Sequence, residues 1–326
     1  MKAIVLGILA SLFFASTFVL NRAMNLTGGS WIWSAVLRYS FTVPFLLLIV
    51  LVRGNLKPLL SEIRKSPGVW LRWSTVGFGL FYAPLCYAAA YGPAWLVASM
   101  WQLTIVSGSL LAPFFYQIVQ TDMGPRKVRS KIPLQGLWIS LIILAGVVVV
   151  QIEQVRELTY KEIMLGVIPV ALAAIAYPLG NRKMMEVCQD QFDTYQRVFG
   201  MTLASLPFWF ILGTYGFVTV GPPSQQQVNQ ALVVAVFSGV IATVLFFRAT
   251  DLTRGNLHQL AAIEATQSGE IIFSILGEIF VLNGNYPTAW SLIGIVLVIL
   301  GMSLHSLSSQ GARHTVISSE SKVVQF

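Results

Sequence analysis

With 326 residues, 56% of them hydrophobic and only 10% charged, and a mean hydropathy of +0.72, the chain is not an ordinary water-soluble domain. The formal net charge of +8 needs no nucleic acid to explain it, because the basic residues gather in short segments between apolar runs. Cys86 in an apolar run, Cys188 in an expected loop, and scattered His258, His305 and His314 offer no disulfide framework and no metal-ligand spacing. No cofactor is expected.

Apolar runs near the ~20 residues that cross a hydrocarbon core recur at approximately 3–21, 31–52, 69–91, 93–118, 133–151, 162–181, 194–213, 229–249, 257–281 and 288–306. Their length predicts helices, since membrane-barrel strands would be about half as long and would alternate in polarity. The expected fold is therefore an all-α integral membrane protein with ten transmembrane helices. The third and fourth runs nearly merge and divide at Gly92-Pro93, a turn signal with a proline suited to a first helical turn. The first run has the outline of a secretory signal, with Lys2 and small residues around Ala15-Ser16. Its counterpart at 162–181 lies mid-chain, so the first run is read as a retained span.

With the N-terminus inside, Arg53, Lys57, Arg64 and Lys65 share one cytoplasmic connection. Arg126, Lys127, Arg129 and Lys131 share the next, and Arg182 and Lys183 a third. The opposite side receives Arg22, Arg156 and Lys161, and its connections at 214–228 and 282–287 carry no basic residue. This alternation fits ten spans with both termini cytoplasmic, in the cell inner (cytoplasmic) membrane. The segment 307–326, which follows Ser306, is expected to be a disordered cytoplasmic tail.

Phe18-Val19-Leu20-Asn21-Arg22-Ala23-Met24 and Pro178-Leu179-Gly180-Asn181-Arg182-Lys183-Met184 each close an apolar run, about 160 residues apart. Arg38 and Arg197 sit early in the following runs, and Tyr87-Ala88-Ala89 stands opposite Phe247-Arg248-Ala249 at nearly the same offset. The chain thus divides into one five-helix repeat at 1–151 and a second at 152–306. Five is odd, so the second copy enters the membrane from the other side. Such inverted repeats place a substrate site near mid-depth between the halves.

On these features the chain resembles the drug/metabolite transporter superfamily over about residues 3–306. Each half is similar to an EamA-type domain, with a small-residue-rich first helix, an Arg-aromatic pair early in the second (Arg38-Tyr39) and a tight third-to-fourth turn. Gly146 or Gly301 in the fifth helix adds to the likeness. The resemblance implies peripheral fifth and tenth helices, eight others around a central cavity, and kinship with multidrug or metabolite exporters. Small four-helix exporters of that superfamily carry an essential glutamate in their first helix. Here Phe13, Phe14 and Ala15, and Ala173, Ala174 and Ile175, stand at the corresponding positions, so that role does not transfer.

A charge at bilayer depth is costly unless paired or hydrated, which singles out Glu264 and Glu270 in the ninth run, with Glu278 near its outer end. At about 1.5 Å per residue from Leu257, Glu264 lies roughly 10 Å and Glu270 roughly 20 Å above the cytoplasmic edge. Arg38 also lies roughly 20 Å above that edge, and Arg197 sits near it, within snorkelling reach of Glu264. Depth therefore couples Arg38 with Glu270 and Arg197 with Glu264. Such couples are either fixed salt bridges or exchange sites for a proton or a substrate cation. A glutamate clamped by arginine carries protons poorly, whereas an unpaired buried one exchanges them. Since Arg197 can reach headgroups instead, Glu264 is the expected carrier and Glu270 the expected structural residue.

Gln102, Thr104, Ser107 and Ser109, with Gln267 and Ser268, are further polar candidates for the cavity; the two glutamines are the more suggestive. Tyr39, Tyr82, Tyr87, Trp101 and Tyr177 lie at a compatible depth, where rings bind organic cations or stack flat substrates. Trp31, Trp33, Trp70, Trp73 and Trp290 near span ends read as interfacial anchors. Pro44, Pro84, Pro113, Pro169, Pro178 and Pro207 mark bends within spans.

The expected function is secondary active transport, proton-coupled efflux of small organic metabolites or drugs by alternating access. The alternative is uptake or exchange of a specific metabolite such as an amino acid or nucleoside. A membrane-embedded enzyme is disfavoured, because no H-E-x-x-H, carboxylate-rich metal motif or nucleotide-binding fingerprint is present. The expected partners are a small organic substrate, a proton as coupling ion and the lipid bilayer. Full-length duplication favours a monomer over a dimer, since both halves of the cavity sit in one chain.

Overall fold

The computed structural model describes residues 1–54, 56–91, 97–98, 100–121, 124–151, 159–188, 191–254, 256–282, 288–304 and 307. The chain begins with α1 (Lys2–Leu26), α2 (Trp31–Val52) and a surface helix, α3 (Leu56–Lys65). Next, α4 starts at Pro67–Ser74, widens through a π-turn at Thr75–Gly79 and ends as Leu80–Tyr91. After α5 (Leu103–Leu110) comes a hairpin of β1 (Tyr116–Thr121) and β2 (Gly124–Arg129), then α6 (Leu134–Gln151). The second part holds α7 (Tyr160–Cys188), α8 (Thr194–Thr219), α9 (Gln225–Asp251), α10 (Leu257–Leu282) and α11 (Ala289–Leu304). A second π-turn, Ala235–Ala242, widens α9, and a 3-10 turn, Thr266–Ser268, tightens α10. Among the described residues, six helices (α1, α2, α7 from Met164, α8, α9 and α10) are long and apolar enough to cross a membrane.

Local chemistry sets several helix starts. Ser30, Asp193, Ser224 and Asn256 each accept a backbone N–H of the first turn through the side chain, and Asp193 with Gln196 forms a capping box. The fourth apolar run is the main departure from expectation. Its helix stops at Leu110, the 3-10 turn Ala112–Phe114 contains Pro113, and the chain turns extended from Phe115. β1 then pairs antiparallel with β2, Tyr116 opposite Arg129, so Arg126, Lys127 and Arg129 lie on a strand. Tyr116, Ile118, Val119 and Thr121 favour extended backbone.

The two Asn-Arg phrases do not end helices: α1 continues to Leu26 and α7 to Cys188. Arg182 is therefore a buried helical residue and not part of a cytoplasmic connection, and Cys188 is buried in the last turn of α7. The Gly92-Pro93 division, Arg156, His305, the connection 283–287 and the tail from 308 lie outside the described residues.

In lipid, helices associate through close packing and small residues, since lipid tails are as apolar as leucine. α1 packs on α9 and α10, α7 packs on α4 and α5, and α2 lies along α8. Gly7 faces Thr266 and Gly269 faces Ser11 where α1 meets α10. Gly146 and Gly301 each sit against the facing helix where α6 meets α11. The tightest crossing joins α4 to α7, where a methyl group added to Gly180 would fall on the Cα and N of Gly77. Gly180→Ala is accordingly expected to cost about 1–3 kcal/mol by overpacking. Gly68→Ala, with no atom within 4 Å of the added carbon, is expected to leave stability unchanged. Thermal unfolding of the two variants in detergent checks this, and equal midpoints would refute the crossing.

Candidate functional site

At the centre of this packing is a narrow cavity of about 20 Å³, room for one or two waters at roughly 10–15 Å³ each. Its walls come from Phe14, Thr17 and Phe18 of α1, Phe81, Tyr82 and Leu85 of α4, and Tyr177 of α7. Trp101 just before α5, Ser238 in the π-turn of α9, and Gln267 and Glu270 of α10 complete it. The rings form a continuous wall, with centroids 4.6 Å apart for Phe81 and Tyr177 and 5.0 Å for Phe81 and Trp101.

Five predicted residues meet here: Glu270, Gln267, Trp101, Tyr82 and Tyr177. Arg38 and Tyr39 stand one layer behind. The guanidinium carbon of Arg38 lies 3.9 Å from the Tyr82 ring centroid, and its Nη2 donates to Ser238 Oγ at 2.9 Å. Tyr39 stacks on Trp209 at 4.4 Å and meets Tyr82 edge-on. Glu270 is 2% exposed and, among the described residues, has neither a hydrogen bond nor an ion pair.

Three predicted residues lie elsewhere. Glu264 accepts two bonds from Arg182, Nε to Oε1 at 3.0 Å and Nη2 to Oε2 at 2.7 Å. Gly108 of α5 makes room for that carboxylate, since a Cβ there would overlap it. Arg197 pairs with Asp251 and donates to the Phe247 carbonyl at 3.2 Å. Gln102, just before α5, turns away from the cavity and donates to the Ala98 carbonyl at 3.0 Å.

Both couples expected from depth are therefore corrected. Arg38 does not pair with Glu270, and Arg197 does not pair with Glu264. Depth measures height along the membrane normal and says nothing of which way a side chain faces around the bundle. It also missed Arg182 because that residue was assigned to a loop. The assignment of Glu264 as the free carboxylate and Glu270 as the clamped one is reversed by the same geometry. Glu278 is held by Arg22. Trp70, expected as an interfacial anchor, is fully buried against Phe192 and Gly200. Thr17, Phe81, Leu85 and Ser238 escaped the sequence reading, and Phe14 and Phe18 were named there without a cavity role. Phe14 stands where the small exporters carry their first-helix glutamate, and Phe18 opens the repeated phrase, so two signals pointed at this face of α1.

The family model described as EmrE, "Putative multidrug resistance efflux transporter", matches residues 1–311. The chain belongs to that family. This EmrE-family chain is 57% identical over 312 residues to the uncharacterized protein YjlA of Bacillus subtilis (strain 168), covering 95% of this chain and 96% of that one. It is 48% identical over 270 residues to an uncharacterized 42.1 kDa protein from the intracellular alkaline protease 3' region of Shouchella clausii, covering 83% and 70% respectively. A protein solved by crystallography matches with a TM-score of 0.68, covering 95% of this chain and 98% of its own; at 16% identity this shows the fold alone. The EmrE-family match and the six long apolar helices together describe a multi-pass membrane protein. Among the described residues, no group of three or more His, Cys, Asp or Glu side chains is placed to hold a metal ion.

Proposed function

We propose that this EmrE-family protein is a secondary carrier of the inner membrane that couples efflux of a small organic solute to proton entry by alternating access. The observation that carries the reading is Glu270, a buried carboxyl group without a partner beside an aromatic cavity. A carboxyl group in that setting exchanges a proton or a cation more readily than one clamped by arginine. The groups facing it are Tyr177 from α7, Tyr82 and Trp101 across the cavity, Gln267 from its own helix, and Arg38 behind Ser238. The cavity admits water but no organic solute in this conformation, so passage requires the surrounding helices to part.

The reading includes ten spans arranged as inverted repeats at 1–151 and 152–306. The reciprocal packing supports it, with α1 on α9 and α10 and its counterpart α7 on α4 and α5. So do the π-turns at Thr75–Gly79 and Ala235–Ala242, which begin about 160 residues apart like the Asn-Arg phrases. One chain supplies both walls of the cavity, so a monomer suffices.

The test is flux in proteoliposomes that contain the full chain and an internal pH dye. Mixtures of small organic cations and metabolites are expected to discharge an imposed pH gradient with saturation and counterflow, and only when the protein is present. Solute exchange indifferent to the gradient removes the proton. Chemical turnover without flux removes the carrier.

A further inference from the structure

Among the described residues, several buried polar groups without a partner border this cavity or stand directly behind it. The Thr17 and Tyr177 hydroxyls and Gln267 Oε1, all on lining residues, are buried without hydrogen-bond partners among the described residues. Behind Ser238, Arg38 is 2% exposed, and its Nε and Nη1 have no acceptor among the described residues. Its counterpart Arg197 has Asp251 for a counter-ion, whereas Arg38 has only a hydroxyl and two rings. Opposite in sign and also unpartnered, Glu270 borders the same space. Buried polar groups left unpaired cost about 1–3 kcal/mol each, and more when charged. Those that share the cavity, with charges of both signs beside them, are placed to be satisfied by one ligand.

We infer that the solute is a compact zwitterion: an anionic end drawn to Arg38, a cationic end drawn to Glu270, and a flat or apolar middle against the rings. The inference rests on the carrier reading and narrows its substrate class. A lipophilic monocation would neutralise Glu270 and stack on Phe81, Tyr82, Trp101 and Tyr177. It would also bring a second positive charge toward an arginine that has no counter-ion one layer behind the wall, and would leave the Gln267, Thr17 and Tyr177 groups unpaired. A monoanion would meet Arg38 but stand against Glu270. Only a molecule with both charges answers both residues. Ser238 lies between, with Oγ already accepting from Arg38, and fits as the hydroxyl through which the arginine meets the anionic end.

The experiment uses the purified full chain and matched probes. Phenylalanine is compared with phenethylamine, which lacks the carboxylate, and with 3-phenylpropionate, which lacks the amine. Glycine betaine is compared with choline, and tetraphenylphosphonium serves as the lipophilic cation. Thermal stabilisation in detergent reads binding, and counterflow in proteoliposomes reads transport. At least one zwitterion is expected to bind tenfold or more tightly than its singly charged analogues. Arg38→Gln is expected to erase the preference over the amine or choline from both sides, weakening the zwitterion and tightening those cations. Equal or tighter binding of tetraphenylphosphonium or the amines overturns the inference, even if they are transported and the carrier reading stands. No stabilisation by either zwitterion, in a protein that still unfolds cooperatively, overturns it too. Zwitterion binding without any counterflow leaves the ligand class standing and removes the carrier.

Discussion

Glu270→Gln is expected to abolish gradient-driven transport while the protein folds as well as the wild type. The substitution keeps the side-chain shape and removes no hydrogen bond or ion pair, because among the described residues Glu270 has none to lose. What it removes is the ability to bind and release a proton. Solute exchange without a gradient is therefore expected to persist, at an altered affinity, while accumulation against a gradient falls to the level of empty liposomes. Thermal unfolding of the variant distinguishes loss of coupling from loss of fold. Undiminished accumulation by Glu270→Gln would move the coupling site off this carboxylate.

The second large effect concerns the pair that the sequence reading missed. Arg182→Ala leaves the Glu264 carboxyl group buried without its two charge-assisted bonds, and is expected to cost about 3–5 kcal/mol of stability. Arg182 and Glu264 side chains are 4% and 5% exposed, so water offers little relief. Replacing both together, Arg182→Met with Glu264→Leu, is expected to recover most of that loss, because two apolar groups of similar size need no counter-charge. Thermal or denaturant unfolding of the single and double variants forms the test. A single variant that unfolds like wild type would mean that the pair is not dry when the protein is in a bilayer.

Much of this molecule was legible from residues alone, for reasons that are physical. Apolar runs of membrane length announce themselves, and α1, α2, α8, α9 and α10 fall close to where hydropathy puts them. The cavity was half legible. Glu270, Gln267, Trp101, Tyr82 and Tyr177 stand out because bulky polar or aromatic residues in lipid-length helices need partners. Azimuth was not legible. Near-neighbours such as Glu264 and Glu270, six positions apart, face different elements, one Arg182 and Gly108, the other the cavity. No run length or depth count contains that information. Loop assignment failed for Arg182 for a related reason: hydropathy ends a span where charge begins, but a buried counter-ion lets the helix carry a charge further. The hairpin after Phe115 was hidden because its β-branched residues extend an apolar run that already read as helix.

The wide turns in α4 and α9 also bear on ancestry. A ring closed from i to i+5 holds one residue more than the usual helical ring, so each such turn amounts to a helix with a single insertion. On the proposed duplication, the two insertions fall at matching places, Thr75–Gly79 and Ala235–Ala242. One event before the gene doubled accounts for both. The carboxylate of Glu270 has a different history, because the stretch about 160 residues earlier, around Ser109, carries no acid. Under the proposed duplication, a single chain lets one half hold a charge that the other does not share, an asymmetry closed to a pair of identical subunits.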